Sequence, residues 1–313
     1  MSRLPLLSAV KNSIEILKKE KWPTFEEFKD IEGFKEYYHS KFAKHFNNSM
    51  IYLKTPMRDL TYKFYRVRPL EEIGDLTSIG EYSYPPKEHC KKNRANLPGY
   101  PVFYCSTKPS IALLETIRNN HLENKDRQLC LTQWVIKTKR PLTVSPFIHN
   151  IEQEDYKILS EKILTEKITD ALRNSPYEND SESFRAIMEY LSSCFVTDDE
   201  RSYSISSFIG HSHIYMPHEF KTDLFMYPSI QSSMKDINFA INPNTVDECL
   251  MLKYLLILQV TDLDLENNLI RVDTTHYGIS DGSKIDIRLS GTFSHGLDPV
   301  YLEILEEFNR IEE

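Results

Sequence analysis

Glu115 stands on a helix that follows directly on a strand, and that placement makes its carboxylate a candidate for chemistry. Leu97-Pro98-Gly99 supplies a turn, because Pro fixes φ and Gly accepts a positive φ. Val102, Phe103 and Tyr104 form a compact β-prone run. Ser106 or Thr107 can cap the next helix, and Pro109 fits its first turn. At about 100° per residue, Ile111, Leu113, Leu114 and Ile117 make one apolar face with Glu115 on its border. A carboxylate at such an edge is partly desolvated and can be aimed into a cleft. Taken singly, the same Glu also reads as a solvated helix residue, and Tyr104 as core.

Arg66 is the second candidate. Tyr62, Phe64, Tyr65 and Val67 predict a strand with Lys63, Arg66 and Arg68 interspersed. A guanidinium on a core strand is always charged and grips phosphate bidentately. The plainer alternative is an edge-strand Arg paired with an acid, and Arg68 competes for the same role. Ser229 follows a strand over 223–228. Ser after Pro is commonly a turn residue bonding its own backbone, and without a surrounding Gly-x-Ser-x-Gly it is no hydrolase nucleophile. His211-Ser212-His213 and His218 form the one histidine cluster. Read as a strand, His211 and His213 share a face, as a metal site would need. With no carboxylate or Cys at a companion spacing, surface or core histidines are the default and no metal is expected. Rossmann and Walker glycine loops are absent.

Around these residues the chain reads as an ordinary folded protein. Its 313 residues permit one large domain or two modest ones. A net charge of −8 and pI near 5.8 argue against a broad nucleic-acid or anionic-membrane footprint. A phosphate ligand would therefore need locally placed Arg residues. The five Cys are odd in number and lack Cys-x-x-Cys spacing, which reads as reduced structural thiols in a cytosolic protein. No signal-peptide pattern opens the chain, and no apolar run approaches the ~20 residues of a membrane helix.

Leu6, Leu7, Val10, Ile14 and Leu17 predict an amphipathic helix over 6–20. Thr24-Phe25-Glu26-Glu27 reads as a capping box opening a helix with Phe25, Phe28, Ile31, Phe34, Tyr38, Phe42 and Phe46 along one side. Internal packing is the favoured use of this aromatic stripe, and a docking surface for a partner is the sharper one. Residues 71–92 read as loop and 129–137 as a strand. Helices are expected over 151–173 and 182–195, and a hairpin over 252–260 and 268–274. Gly278, Gly282 and Gly291 mark loops before a terminal helix.

Arg94, Asn96, Gly99, Tyr104, Ala112 and Glu115, in that order, resemble the pattern of the RES family, named for its Arg, Glu and Ser residues. Tyr65-Arg66-Val67 resembles the family's first Arg. Tyr227-Pro228-Ser229 with the segment 237–243 resembles its Ser segment. Two departures stand out: Lys91-Lys92-Asn93 replaces glycines before Arg94, and Ala95 replaces an aromatic.

The resemblance implies an α+β, ADP-ribosyltransferase-like split mixed β-sheet with flanking helices and an N-terminal helical extension. It divides the chain into a helical extension (1–60), a catalytic domain (61–275) and a C-terminal loop and helix (276–313). It further implies a bacterial toxin that consumes NAD as substrate, with no retained cofactor. Arg66 and Arg94 would hold the pyrophosphate, Tyr104 would wall the nicotinamide or ribose, Ser229 would contact the ribose or amide, and Glu115 would stabilise the developing cation. Asn96 more readily shapes the turn. The partners implied are NAD, a cognate antitoxin or a second copy, with no direct nucleic acid and no membrane. Transfer to a protein side chain and a non-catalytic binding module are the alternatives.

Overall fold

A computed structural model describes residues 4–47, 55–57, 62–119, 127–148, 154, 156, 179–197, 199–215, 221–232, 234–267, 269–289 and 299–309. The helix expected over 151–173, His218 and Gly291 lie outside the described residues, apart from positions 154 and 156 of that helix. The elements begin with α1 (Leu7–Lys19), α2 (Ile31–His45), β1 (Thr55–Met57), β2 (Lys63–Pro69), β3 (Phe103–Ser106), α3 (Pro109–Asn119), β4 (Gln128–Ile136) and β5 (Leu142–Pro146). They continue with α4 (Asn179–Ser193), α5 (Glu200–Tyr215), β6 (Leu224–Pro228), β7 (Ile237–Ile241), α6 (Pro243–Cys249), β8 (Leu250–Asp264), β9 (Leu269–Ser280), β10 (Ile285–Leu289) and α7 (Pro299–Asn309). The fold is α+β, and among the described residues no helix is long and apolar enough to cross a membrane.

The chain falls into two compact units. The first comprises Met1–Met57, Pro86–Val102 and Pro141–Asn242. Its strands are mixed: β1 runs antiparallel to β5, β5 parallel to β6, and β6 antiparallel to β7. Every residue of β6 and β7 is buried, as strands covered on both faces require. Helix α1 matches its expected span and buries Val10, Ile14 and Leu17.

The helix expected from Phe25 is interrupted. Thr24 N–H donates to Glu27 Oε1 over a single turn of 3-10 helix, and α2 starts afresh where Asp30 Oδ1 accepts from Gly33 N–H at 2.9 Å. A side-chain acceptor at residue 30 satisfies an orphan N–H and fixes the start there. The aromatic stripe packs internally: Phe34, Tyr38 and Phe42 meet Phe208 of α5, and Tyr38 and Phe42 also meet Trp22.

The strand expected at His211-Ser212-His213 is the C-terminal part of α5 instead. In a helix, residues two apart project about 200° apart, so the two rings share no face. Helix α5 is buried from Ser204 through Ile214, and a helix covered on all sides carries no amphipathic period to read. His213 Nδ1 lies 2.8 Å from Ile209 O, and burial pushes His211 down to about 3 and His213 to about 4. Both are neutral core residues.

The second unit comprises Arg58–Pro85, Phe103–Arg140 and Pro243–Glu313. Its strands run antiparallel in the order β3-β2-β4-β8-β9-β10. Helices α3 and α7 cover one face through a core that includes Tyr65, Ala112, Ile117, Leu131, Leu256, Ile304 and Phe308. The expected β8–β9 hairpin is present and longer than its apolar residues indicate. Gly278 lies inside β9, where the sequence marks a loop, and β10 follows it. All five Cys are free and buried.

Candidate functional site

Within the second unit, β2 and β3 lie side by side, with Tyr65 opposite Ser106. Arg66 points its guanidinium at the neighbouring strand, and Nη1 donates to Tyr104 O at 2.9 Å. The ring of Phe103 lies beneath, 5.3 Å from Arg66 Cζ. Nε is buried with no hydrogen-bond partner, and no carboxylate among the described residues forms an ion pair with this side chain. Burial, aided by the like charge of Arg68, pushes the guanidinium down to about 10, so it remains a cation at neutral pH. Burial likewise holds Cys105 well above the usual thiol range, so the neighbouring thiol is neutral and supplies no counter-charge.

Arg68 is differently placed. Its Nη1 donates to Glu81 O, and its Nη2 lies 3.4 Å from Glu72 Oε2. Of the two arginines that the strand pattern leaves open, Arg68 is tied to an acid and Arg66 is not.

Glu115 sits half-buried on α3, behind the turn that follows β3. Its neighbour Thr116 donates its hydroxyl to Ala112 O at 2.9 Å and also lies 3.3 Å from Val67 O. That contact seats the turn of α3 carrying Glu115 on the strand carrying Arg66. The second unit therefore brings the Arg66 guanidinium to the Tyr104 carbonyl, and it sets Glu115 on a helix that packs on Tyr65 and Val67, the face of β2 opposite to the Arg66 side chain.

Arg94 and Ser229 belong to the first unit. The turn around Arg94 is closed by Asn93 and Asn96, which exchange backbone hydrogen bonds at 3.1 and 3.2 Å. Asn96 Nδ2 donates to Lys91 O and Leu97 O, so this residue builds the turn as expected. Gly99 has φ +77°, and Tyr100 N–H donates to Leu97 O at 3.2 Å, the arrangement a Pro-Gly turn demands. Arg94 reaches the end of α4, with Nη1 3.3 Å from Phe195 O and 3.4 Å from Thr197 O, and its Cζ lies 5.3 Å from the Tyr203 ring centre. A cation at a helix C-terminus complements the exposed carbonyls. Ala95 has its own explanation: a Cβ at Gly210 of α5 would lie 2.5 Å from Ala95 Cα and Cβ. An aromatic at position 95 would collide with the helix here.

Ser229 is fully buried at the β6–β7 turn. Its N–H donates to Asp236 O at 2.8 Å, and its carbonyl accepts from Met234 N–H at 2.9 Å. Its backbone is the pivot of this hairpin.

Phe103 is absent from the candidates drawn from the sequence. An apolar residue inside a β-prone run reads as core, and its position under a guanidinium leaves no trace in spacing or type.

A family model described as RES domain matches residues 63–255, more than half of the chain. No curated protein matches it.

Proposed function

The chain belongs to the RES-domain family, and on that footing we propose that it cleaves the bond between nicotinamide and ribose in NAD, depleting NAD as a toxin. The observation that carries this reading is Arg66, a half-buried cation held by one carbonyl and one aromatic ring, with no ion-paired carboxylate among the described residues and the charge of Glu72 acting on it from beyond ion-pair distance. A desolvated charge normally has a counter-charge. A bound pyrophosphate would supply it, in charge-assisted hydrogen bonds to the guanidinium edge.

The chemistry asks little more of the protein. The C–N bond breaks with its electron pair going to the pyridinium nitrogen, which leaves neutral nicotinamide and an oxocarbenium-like ribose. Glu115 stabilises that developing positive charge and orients the incoming nucleophile. Water attack gives ADP-ribose and a proton; phosphate attack gives the phosphorylated sugar. Tyr104 walls the nicotinamide or ribose.

The engagement of Arg94 Nη1 with the end of α4 favours one alternative, a RES-type binding module without turnover. Purified protein incubated with NAD separates the two. Release of nicotinamide beyond one equivalent supports catalysis. A mass shift on a target protein in place of free ADP-ribose would redirect the activity to protein ADP-ribosylation.

A further inference from the structure

The surroundings of Arg66 form a closed ring of contacts within three strands of the second unit. Thr132 stands opposite Arg66 across β2–β4, and its hydroxyl donates to Arg66 O at 3.0 Å. Trp134 Nε1–H donates to Thr132 Oγ1 at 3.1 Å. The Trp134 ring meets Phe103 edge-on, with centres 5.1 Å apart and planes at 71°. Phe103 in turn lies under the Arg66 guanidinium. Phe103, Thr132 and Trp134 are all buried, with Phe103 entirely so. Backbone and side chain of one arginine are thus held by the two ends of a single chain of contacts.

The geometry points to Phe103, backed by Trp134, as the positioning residue that aims Arg66 at an anionic ligand, the dinucleotide pyrophosphate. This rests on the NAD reading above. The reason for a ring in this place is chemical. A carboxylate would fix the guanidinium equally well, but it would neutralise the charge and occupy the in-plane N–H donors. An aromatic ring attracts the cation through its face. The in-plane donors not given to Tyr104 O then stay available for phosphate, and the full positive charge is kept. Burial strengthens the contact, since no water competes for it.

The test replaces Phe103 by mono-, di- and trifluorinated phenylalanine, which drains the ring face of negative potential at nearly constant shape. Affinity for ADP-ribose is measured by calorimetry, and isotope-labelled arginine NMR reads the restricted rotation of the Arg66 guanidinium. Stepwise loss of affinity, about three- to tenfold across the series, is expected, with the guanidinium signals averaging in the same order. The same series at Phe308, a buried ring elsewhere in the second unit, should leave both readouts unchanged. Phe103→Leu should lose more affinity than any fluorinated variant. Unchanged affinity and unchanged rotation across the series, in protein that binds ADP-ribose and loses it on Arg66→Met, would overturn the positioning role alone. Failure of the unsubstituted protein to bind ADP-ribose would overturn the NAD reading and the positioning role with it.

Discussion

Replacing Arg66 by Met separates a ligand-binding arginine from a structural one by the sign and size of a stability change. Burial takes the guanidinium from its ordinary strongly basic range down to about 10. At about 1.4 kcal/mol per pKa unit, holding the charge in place costs the folded protein roughly 3 kcal/mol. The sign follows from which state is disfavoured: the folded pKa is depressed, so the cost is present at every pH below about 10. It disappears only as pH rises from there through the unfolded value. Met removes this cost and forfeits the hydrogen bond to Tyr104 O, worth about 1.5–3 kcal/mol for a charged donor. It also exchanges a cation–π contact for a thioether–aromatic contact of about 1 kcal/mol. The terms nearly cancel, so Arg66→Met should leave the unliganded protein within about 1 kcal/mol of the original. Removing one partner of a buried ion pair, by contrast, costs about 3–5 kcal/mol. Urea unfolding read by Trp134 fluorescence reports the relevant unit, because the other Trp, Trp22, lies in the first and can be replaced by Phe. NAD binding should be lost in the same variant. Destabilisation by 3 kcal/mol or more would refute the reasoning and make Arg66 a structural residue.

Four further outcomes are expected. Glu115→Gln should lower nicotinamide release about 10²–10³-fold while urea unfolding stays within about 0.5 kcal/mol of the original; an unfolded variant would make Glu115 structural. His211 and His213 are held below the ordinary histidine range, so the first unit should keep their contribution above about pH 6.5. It should lose about 1.4 kcal/mol per pH unit for each as pH falls towards 4, because only the unfolded chain takes up those protons. Trp22 fluorescence in a Trp134→Phe background would detect this, and a flat profile between pH 6.5 and 4.5 would contradict it. Gly210→Ala drives a Cβ to 2.5 Å from Ala95 and should destabilise the first unit by about 1–3 kcal/mol; unchanged urea unfolding would show the loop gives way freely. Gly99→Ala, at φ +77°, should cost about 1 kcal/mol by the same measurement.

The parts of the fold written in local chemistry were legible. Pro98-Gly99 announces its turn because few residues tolerate that backbone. The β3–α3 passage shows because a β-prone run gives way to a helical period. Helix α1 and the β8–β9 hairpin follow from periodicity in the same way. Helix α5 was misread because burial on every side erases the pattern that distinguishes helix from strand. The break at Asp30 was missed because the aromatic spacing continues across it while a single side-chain hydrogen bond resets the helix. Strand β10 was missed because Gly278 reads as a loop marker, although it lies within a strand, packed against Ile285 and Ile287. At the site, residue type alone could nominate Arg66 and Arg68 but not choose between them. What distinguishes them is an ion pair with Glu72 and the Glu81 carbonyl on one side, against an aromatic ring and the Tyr104 carbonyl on the other, and that depends on three strands meeting.

The most direct test of the account is nicotinamide release from NAD by the purified protein, followed by chromatography with and without phosphate, beside Arg66→Met and Glu115→Gln. Multiple turnovers of nicotinamide by the original protein, with ADP-ribose or its phosphorylated form as co-product and near-silence from both variants, is the predicted result. Absence of nicotinamide under every acceptor condition, or equal release by all three proteins, would contradict it.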